Sequence, residues 1–392
     1  MGGKTILLII DPQVDFTTGN LKVEGAIEDY KRINSFIDKA PIDEIHVSLD
    51  THNKDHIGHP SFWIEEKHPE KKHPGSFQVL SITNDGKIKA TNPNNVETIV
   101  TPVDGDIGYA KEYVEYLQNK YNETKLAPMI WNYHCMVPMG QEVNINKTNG
   151  FGHAVASPLK EKLESPQIKD KVKYHIKGQN NLTEMYSIFG AEYVSDKAKQ
   201  IQVCPTAENA IGYNTYDEAI NGVDLYVDRN TQLMERLLNG GNNIVYVCGQ
   251  ARTHCVKESL KHLLEYAIEK SYDTTNIRLL YNMSSPISPE NGGVDDIHTI
   301  PNITLVKTDE EVKNEVNKIR KIRVQERQRM ANVKHVGKMK TARANTKGGK
   351  RRRKTKKRHN KKTKRKVTKK RHNKKTKKRK VRKTKKNKTR KR

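Results

Sequence analysis

The 392-residue chain is poor in aromatics, cysteine and long apolar runs. Aromatics make up 6%, and the four cysteines, at 135, 204, 248 and 255, follow no repeated spacing. That excludes a small secreted scaffold held by disulfides. No stretch approaches the roughly 20 consecutive apolar residues of a membrane span, so no membrane partner is expected. The apolar run from Thr5 stops at Asp11, too short for a secretion signal, and reads as a core strand. The opening Met1-Gly-Gly-Lys fits a myristoylation pattern poorly, because Ile6 stands where Ser or Thr is needed. The expected setting is intracellular, cytoplasmic or nuclear.

Acidic residues are missing altogether from one region. From Arg343 onward there is no Asp or Glu, yet 32 of the 73 Lys and Arg lie there. The remaining 41 bases face all 45 acids, so the net charge of +28 belongs to a tail and the body is near neutral. Residues 343–392 are low in complexity and contain KKRHNKKT twice, at 356–363 and 369–376. Such a segment cannot bury a core and is expected to be disordered alone. It would bind nucleic acid or another polyanion through phosphates, blind to sequence and weakened by salt. It has no interleaved aromatics for base stacking. A nuclear-targeting extension is an equal reading, as is association with a virion if the source is viral. A nucleic-acid-binding or virion protein is one view of the whole chain.

Elsewhere, apolar runs alternate with helical stretches. Strands are expected at 5–10, 44–49, 126–131, 172–176, 243–248, 277–281 and 303–306. Helices are expected at 27–39, 107–121, 231–238 and 253–270. In the last of these Val256, Leu260, Leu263, Leu264 and Ala267 share a face. Residues 5–10 show no alternation, the mark of a strand buried on both faces. This order predicts a mostly parallel sheet covered by helices on both sides, within a domain spanning 1–308. The stretch 63–106, rich in Pro, Asn, Lys and Gly, reads as an insertion forming a small hairpin flap. Residues 309–342 read as a charged helical linker.

The most informative stretch is VYVCGQARTHCV at 245–256: a buried strand, a turn at Gly249, and a helix carrying Cys255 in its first turn. A helix N-terminus favours negative charge, so a thiol there is expected to ionise readily and act as a nucleophile. Cys248 is assigned to the core. In a parallel sheet, ligands sit at the carboxyl ends of strands. Asp11, Asp50 with His52, Lys177 and Cys255 all follow strands, so the fold should gather them on one rim. Asp50, His52 and His134 form a plausible ligand set for Zn, Mn or Fe, with His56 or His59 as a further donor. His68 and His73 read as surface residues.

Taken together these segments resemble the isochorismatase-like cysteine hydrolases, and within them the nicotinamidases. IIDPQVDF (9–16), DTH (50–52), WNYHC (131–135), YHIKG (174–178) and GQARTHCV (249–256) are similar, in order, to that family's segments. The resemblance implies a three-layer α/β sandwich with a six-stranded, mostly parallel sheet. It implies Asp11, Lys177 and Cys255 as catalytic residues. It implies a cis peptide before Ala251 and an oxyanion hole from the Ala251 and Cys255 amides. It implies Phe16 and Trp131 against the substrate's ring, and a divalent metal on Asp50, His52 and His134. The implied activity is hydrolysis of a small carboxamide, nicotinamide above all, by a thioester route. Isochorismatases lack the metal loop, which Asp50 and His52 supply here. Asn132 replaces the family's usual Pro and Thr253 stands where an Asp is common; both border the pocket and leave the substrate open. The oligomeric state is also open, a homo-oligomer included.

Overall fold

In the computed structural model, residues 3–137, 152–202 and 212–331 are described. The chain divides into two units, Met1–Lys321 and Ile322–Arg392. In the second, residues 322–331 are helical. The expectations for the tail at 343–392 and for Cys204 lie outside the described residues.

The first unit begins with β1 (Thr5–Ile10), α1 (Ala26–Lys39) and β2 (Glu44–Asp50). Next come β3 (Trp63–Glu65), β4 (Gln78–Ile82), β5 (Ile88–Thr91), β6 (Glu97–Pro102), α2 (Ile107–Thr124) and β7 (Met129–Ile130). The chain continues through α3 (Leu159–Leu163), β8 (Val172–Lys177), α4 (Asp196–Ile201), α5 (Tyr216–Ile220) and α6 (Thr231–Leu238). It closes with β9 (Ile244–Gly249), α7 (Cys255–Glu269), β10 (Ile277–Leu280) and β11 (Thr304–Val306). Residues 309–321 then form a helix.

Six strands pair in the order β11-β10-β9-β1-β2-β8, every pair parallel. The expected three-layer α/β sandwich is the one found. On one face α6 and α7 pack Leu233, Leu237, Val256, Leu260 and Leu263 against Ile6, Leu8, Ile10, Val245 and Val247. On the other, α1, α3 and α5 pack Tyr30, Ile33, Leu159 and Ile220 against Leu7, Ile9, Val47 and Ile176. Each such side chain removed from water contributes about 1.5–3 kcal/mol. Strand β1 is buried at all six positions, as its unbroken apolar run requires.

Strands β2 and β8 differ from β1. Their sequences, EIHVSLD and VKYHIK, alternate polar with apolar. With Ser48 opposite His175 and Asp50 opposite Lys177, one face carries His46, Ser48 and Asp50 beside Lys173, His175 and Lys177. Polar residues therefore line this side of the sheet up to its carboxyl rim. Connections leave β1 toward β2 on one side and reach β9 on the other, so the strand order reverses at β1. Ligand crevices form at such a reversal.

The stretch from 63 is larger than the hairpin flap expected for 63–106. It is a five-stranded antiparallel sheet, β3-β6-β5-β4-β7, packed on α2. Residues expected to form a strand at 126–131 belong here, reduced to β7. The Pro- and Asn-rich turns hid the pattern; the strands are short, and in β4, β5 and β6 buried residues such as Leu80, Ile88, Ala90 and Val100 are interleaved with partly exposed ones.

Candidate active site

Gly249 ends β9 with φ 111°, and any side chain there would collide with the backbone of Ile10. Glycine thus lets β9 run tight against β1 before the chain turns. The Gln250–Ala251 peptide is cis. Helix α7 starts at Cys255, with His254 at its N-cap position. The Ala251 carbonyl accepts from the His254 and Val256 amides at 3.1 Å each. Neither the Ala251 nor the Cys255 N–H has an acceptor among the described residues, so two donors stand free beside the thiol.

Lys177 ends β8 and is 1% exposed. Its Nζ lies 3.8 Å from Cys255 Sγ, 3.1 Å from Asp11 Oδ2 and 3.0 Å from Asp50 Oδ1, and donates to Met185 O at 2.9 Å. Asp11, just past β1, has a φ of 43° and is fully buried. Ser48 Oγ donates to its Oδ1 at 2.6 Å and accepts from its N–H at 3.0 Å. Asp11 Oδ2 has the ammonium beside it but no directed hydrogen bond among the described residues.

The charges decide the protonation states. Burial disfavours the Lys177 cation, but Asp11, Asp50 and Cys255 outweigh it and hold the ammonium charged. Burial raises the Asp11 carboxyl despite Lys177. Burial would also raise Asp50, yet His52 and Lys177 bring it well below the ordinary carboxylate range. Cys255 departs from the expected readily ionised thiol. Burial, helped by Asp11 and Asp50, pushes it well above the usual thiol value, against the pull of Lys177. A helix terminus acts over one turn only and does not offset two nearby carboxylates. At rest Cys255 is a thiol beside Asp11.

Past β2 lies a group of imidazoles. His52 Nε2 is 3.0 Å from Asp50 Oδ2, and His134 Nε2 is 3.4 Å from the same oxygen. The Nδ1 atoms of His52, His59 and His134 each face a backbone carbonyl, of Gly178, Asn53 and Asn132, at 3.0, 3.2 and 2.8 Å. Donation to those carbonyls keeps a proton on Nδ1 and turns Nε2 toward the metal-ligand side, as in histidines that bind metal. Burial opposes a second proton on His52, but Asp50 outweighs it and raises that imidazole. The buried Nε2 atoms of His52 and His59 have no partner among the described residues. Nε2 facing a carboxylate oxygen at 3.0 Å calls for a proton or a metal ion between them. His56 differs: its Nδ1 accepts from Gly58 N–H at 3.1 Å and its Nε2 faces Thr183 O at 2.9 Å. Both its nitrogens are used. Glu184, which sequence reasoning missed, brings Oε1 to 3.9 Å from His52 Nε2, and its buried Oε2 has no partner.

Phe16, Trp131, His134, Ala251, His254 and Cys255, with Tyr186 and Ile287, line a cavity of about 20 Å³ between thiol and imidazoles. That is room for about one water; a ring must displace side chains to enter. The rim brings together Asp11, Lys177 and Cys255, sets Asp50, His52 and His134 within ligand spacing of one another, and puts Phe16 and Trp131 in the cavity wall. Beyond Glu184, sequence reasoning missed Ser48, Tyr186 and His254. Ser48 was visible in the alternation of β2. Glu184 and Tyr186 gave no signal, because only the return of the loop after β8 brings them to the rim. That loop is tied to α7 by Ile188 N–H to Ser259 Oγ at 3.1 Å and by His262 Nδ1 against Ser187 Oγ at 2.9 Å.

No family model matches the chain, and no curated protein does. Among solved structures it is similar to the yeast nicotinamidase bound to the inhibitor nicotinaldehyde, at 17% identity and a TM-score of 0.38, over 81% of this chain and 97% of that one. It is similar to the pyrazinamidase of Pyrococcus horikoshii in complex with zinc, at 16% identity and 0.35, over 78% and 99%. It is also similar to the N-carbamoylsarcosine amidase of Thermoplasma acidophilum, at 13% and 0.34, over 78% and 97%.

Proposed function

We propose that the protein is a cysteine-dependent amidohydrolase acting on a small carboxamide, with nicotinamide, hydrolysed to nicotinate and ammonia, as its favoured substrate. The observation that carries this is one buried ammonium in contact with both a thiol and a carboxylate, 3.8 Å from Cys255 Sγ and 3.1 Å from Asp11 Oδ2. Asp11 takes the thiol proton as Sγ attacks the amide carbon, and Lys177 balances the charge that develops. The Ala251 and Cys255 N–H groups receive the oxyanion; losing one such donor typically costs about 2.7–4 kcal/mol. Asp11 returns the proton to the departing nitrogen, so ammonia leaves and a thioester remains. Asp11 then draws a proton from water, which attacks the thioester and frees the acid and the thiol. Phe16 and Trp131 flank the ring.

Asp50, His52 and His134 fit a divalent Zn, Mn or Fe ion, and His52, His56 and Glu184 also lie within ligand spacing of one another. Of the two further histidines we favour His59, because its Nε2 is free while both nitrogens of His56 are used. When bound, such an ion offers a Lewis-acid point for the substrate's ring nitrogen, directly or through water. The protein's own part is to orient the ring so that the carboxamide meets Sγ. The test is ammonia release from nicotinamide by wild type and by Cys255→Ala, with and without chelator. Cys255→Ala is expected to abolish turnover; activity that survives the substitution overturns the proposal.

A further inference from the structure

Thr253 is 1% exposed, and its hydroxyl has two neighbours. Ile287 N–H donates to Oγ1 at 3.2 Å, and His254 Nδ1 lies 2.9 Å from it. A threonine hydroxyl has one proton to give. Ile287 N–H is a donor and cannot receive it, so within the described residues the only acceptor is His254 Nδ1. A neutral imidazole that accepts at Nδ1 carries its proton on Nε2. His254 Nε2 has no partner among the described residues. The ring stands edge-on to Trp131 and Tyr186, with centroids 5.2 Å from each, in the wall of the cavity that also holds Cys255. This is the reverse of the arrangement at His52, His59 and His134, where backbone carbonyls keep a proton on Nδ1.

We propose that Thr253 is a positioning residue that fixes His254 with its proton on Nε2, and that this N–H is a neutral donor recognising a second ring acceptor in a carboxamide substrate, one that pyrazinamide has and nicotinamide lacks. The role rests on the amidase reading for its substrate, while the tautomer stands on the hydrogen bonds alone. Burial lowers the His254 imidazole to about 3, so the donor is uncharged throughout the neutral range. The carbonyl oxygen is assigned to the Ala251 and Cys255 amides and one ring nitrogen to the metal-ligand side. His254 therefore discriminates among carboxamides by an additional acceptor on the ring.

The experiment uses three probes of nearly equal size: benzamide, nicotinamide and pyrazinamide, with no, one and two ring nitrogens. In full-length Cys255→Ala protein with added Zn²⁺ and ¹⁵N-histidine, nitrogen correlation spectra should show the His254 proton on Nε2. Pyrazinamide should shift that signal and benzamide should leave it in place. Thr253→Val should release the tautomer, and Thr253→Ser should keep it. In active protein, Thr253→Val should raise KM for pyrazinamide about tenfold, the scale of one neutral hydrogen bond, with benzamide unchanged within about twofold. Thr253→Ser should restore the wild-type ratio. A proton on Nδ1, an unmoved signal with all three amides, or an equal loss of all three in Thr253→Val overturns the proposal. An absence of turnover by wild type with a shifted Nε2–H would instead fault the amidase reading and leave the donor in place.

Discussion

Two buried histidine groups, one on strands β2 and β8 and one in the loop past β2, meet opposite fates. In mid-strand, His46 Nδ1 meets His175 Nε2 at 2.9 Å with the rings stacked, and His46 Nε2 faces Glu44 at 3.4 Å. In the loop past β2, His59 leaves a buried Nε2 without a hydrogen-bond partner among the described residues, and His52 Nε2 faces the Asp50 carboxylate at 3.0 Å. Both groups are buried and polar. The first spends its lone pairs within the fold, so it reads as structure. The second leaves ring nitrogens unmet near a carboxylate, and a buried orphan costs about 1–3 kcal/mol unless something else meets it. Burial of polar groups does not mark a site; unmet valence does.

The largest break in this comparison should come at the last residue of β8. Lys177→Met leaves Asp11 and Asp50 buried without their cation. Activity on nicotinamide should fall by about 10³-fold or more, and unfolding free energy by about 3–5 kcal/mol. Lys173→Met, at the first position of β8's polar face and outside the rim, should change neither by a measurable amount. Steady-state ammonia release and urea midpoints would check both, and a Lys177→Met protein with normal turnover would remove the rim's claim to chemistry.

The imidazoles themselves separate next. His59→Ala removes a free Nε2 and should weaken metal affinity by about 10–100-fold with little loss of stability. His56→Ala strands Gly58 N–H and Thr183 O and should cost about 1–3 kcal/mol while metal binding persists. Metal content after dialysis, read beside melting curves, tells them apart. The opposite pattern would make His56 the ligand.

Much of this was legible in the sequence, for physical reasons that differ by segment. The unbroken apolar run at 5–10 announced a central strand, and the strand–glycine–helix grammar of 245–256 announced the position of Cys255. Register then did the rest: in a parallel sheet, residues that end neighbouring strands must share a rim. Contacts made by loops were not legible. Glu184 and Tyr186 arrive by the path of the chain between β8 and α4, which no periodicity encodes. The ionisation of Cys255 was misjudged because sequence shows the helix terminus but not the carboxylates placed beside the thiol. The insertion was underestimated because its strands are short and half-exposed.

Within the satisfied pair, single and double replacements should diverge. His175→Leu leaves His46 with a buried nitrogen unmet and should cost about 1–3 kcal/mol. The double variant His46→Leu/His175→Leu removes both partners and should cost less than the sum of the two single changes, a coupling readable in a double-mutant cycle. Additive costs would mean the two rings do not act as a pair.

The smallest effect is a pH dependence, and its sign follows from burial. His46 and His175 are lowered by burial, and His262 is lowered by burial to about 4. An unfolded histidine takes a proton near pH 6.5. Between about 6.5 and 4 the unfolded chain therefore binds more protons than the folded one, and stability falls as pH falls through that window. Above it the contribution is constant. Denaturant midpoints should drop between pH 7.5 and pH 5. His262→Gln should flatten that slope by on the order of 1 kcal/mol across the window. A slope untouched by His262→Gln would place the acid sensitivity with the other buried histidines that burial lowers, the mid-strand pair, His56, His59, His153 and His254, and the double leucine variant would then show the share of the pair.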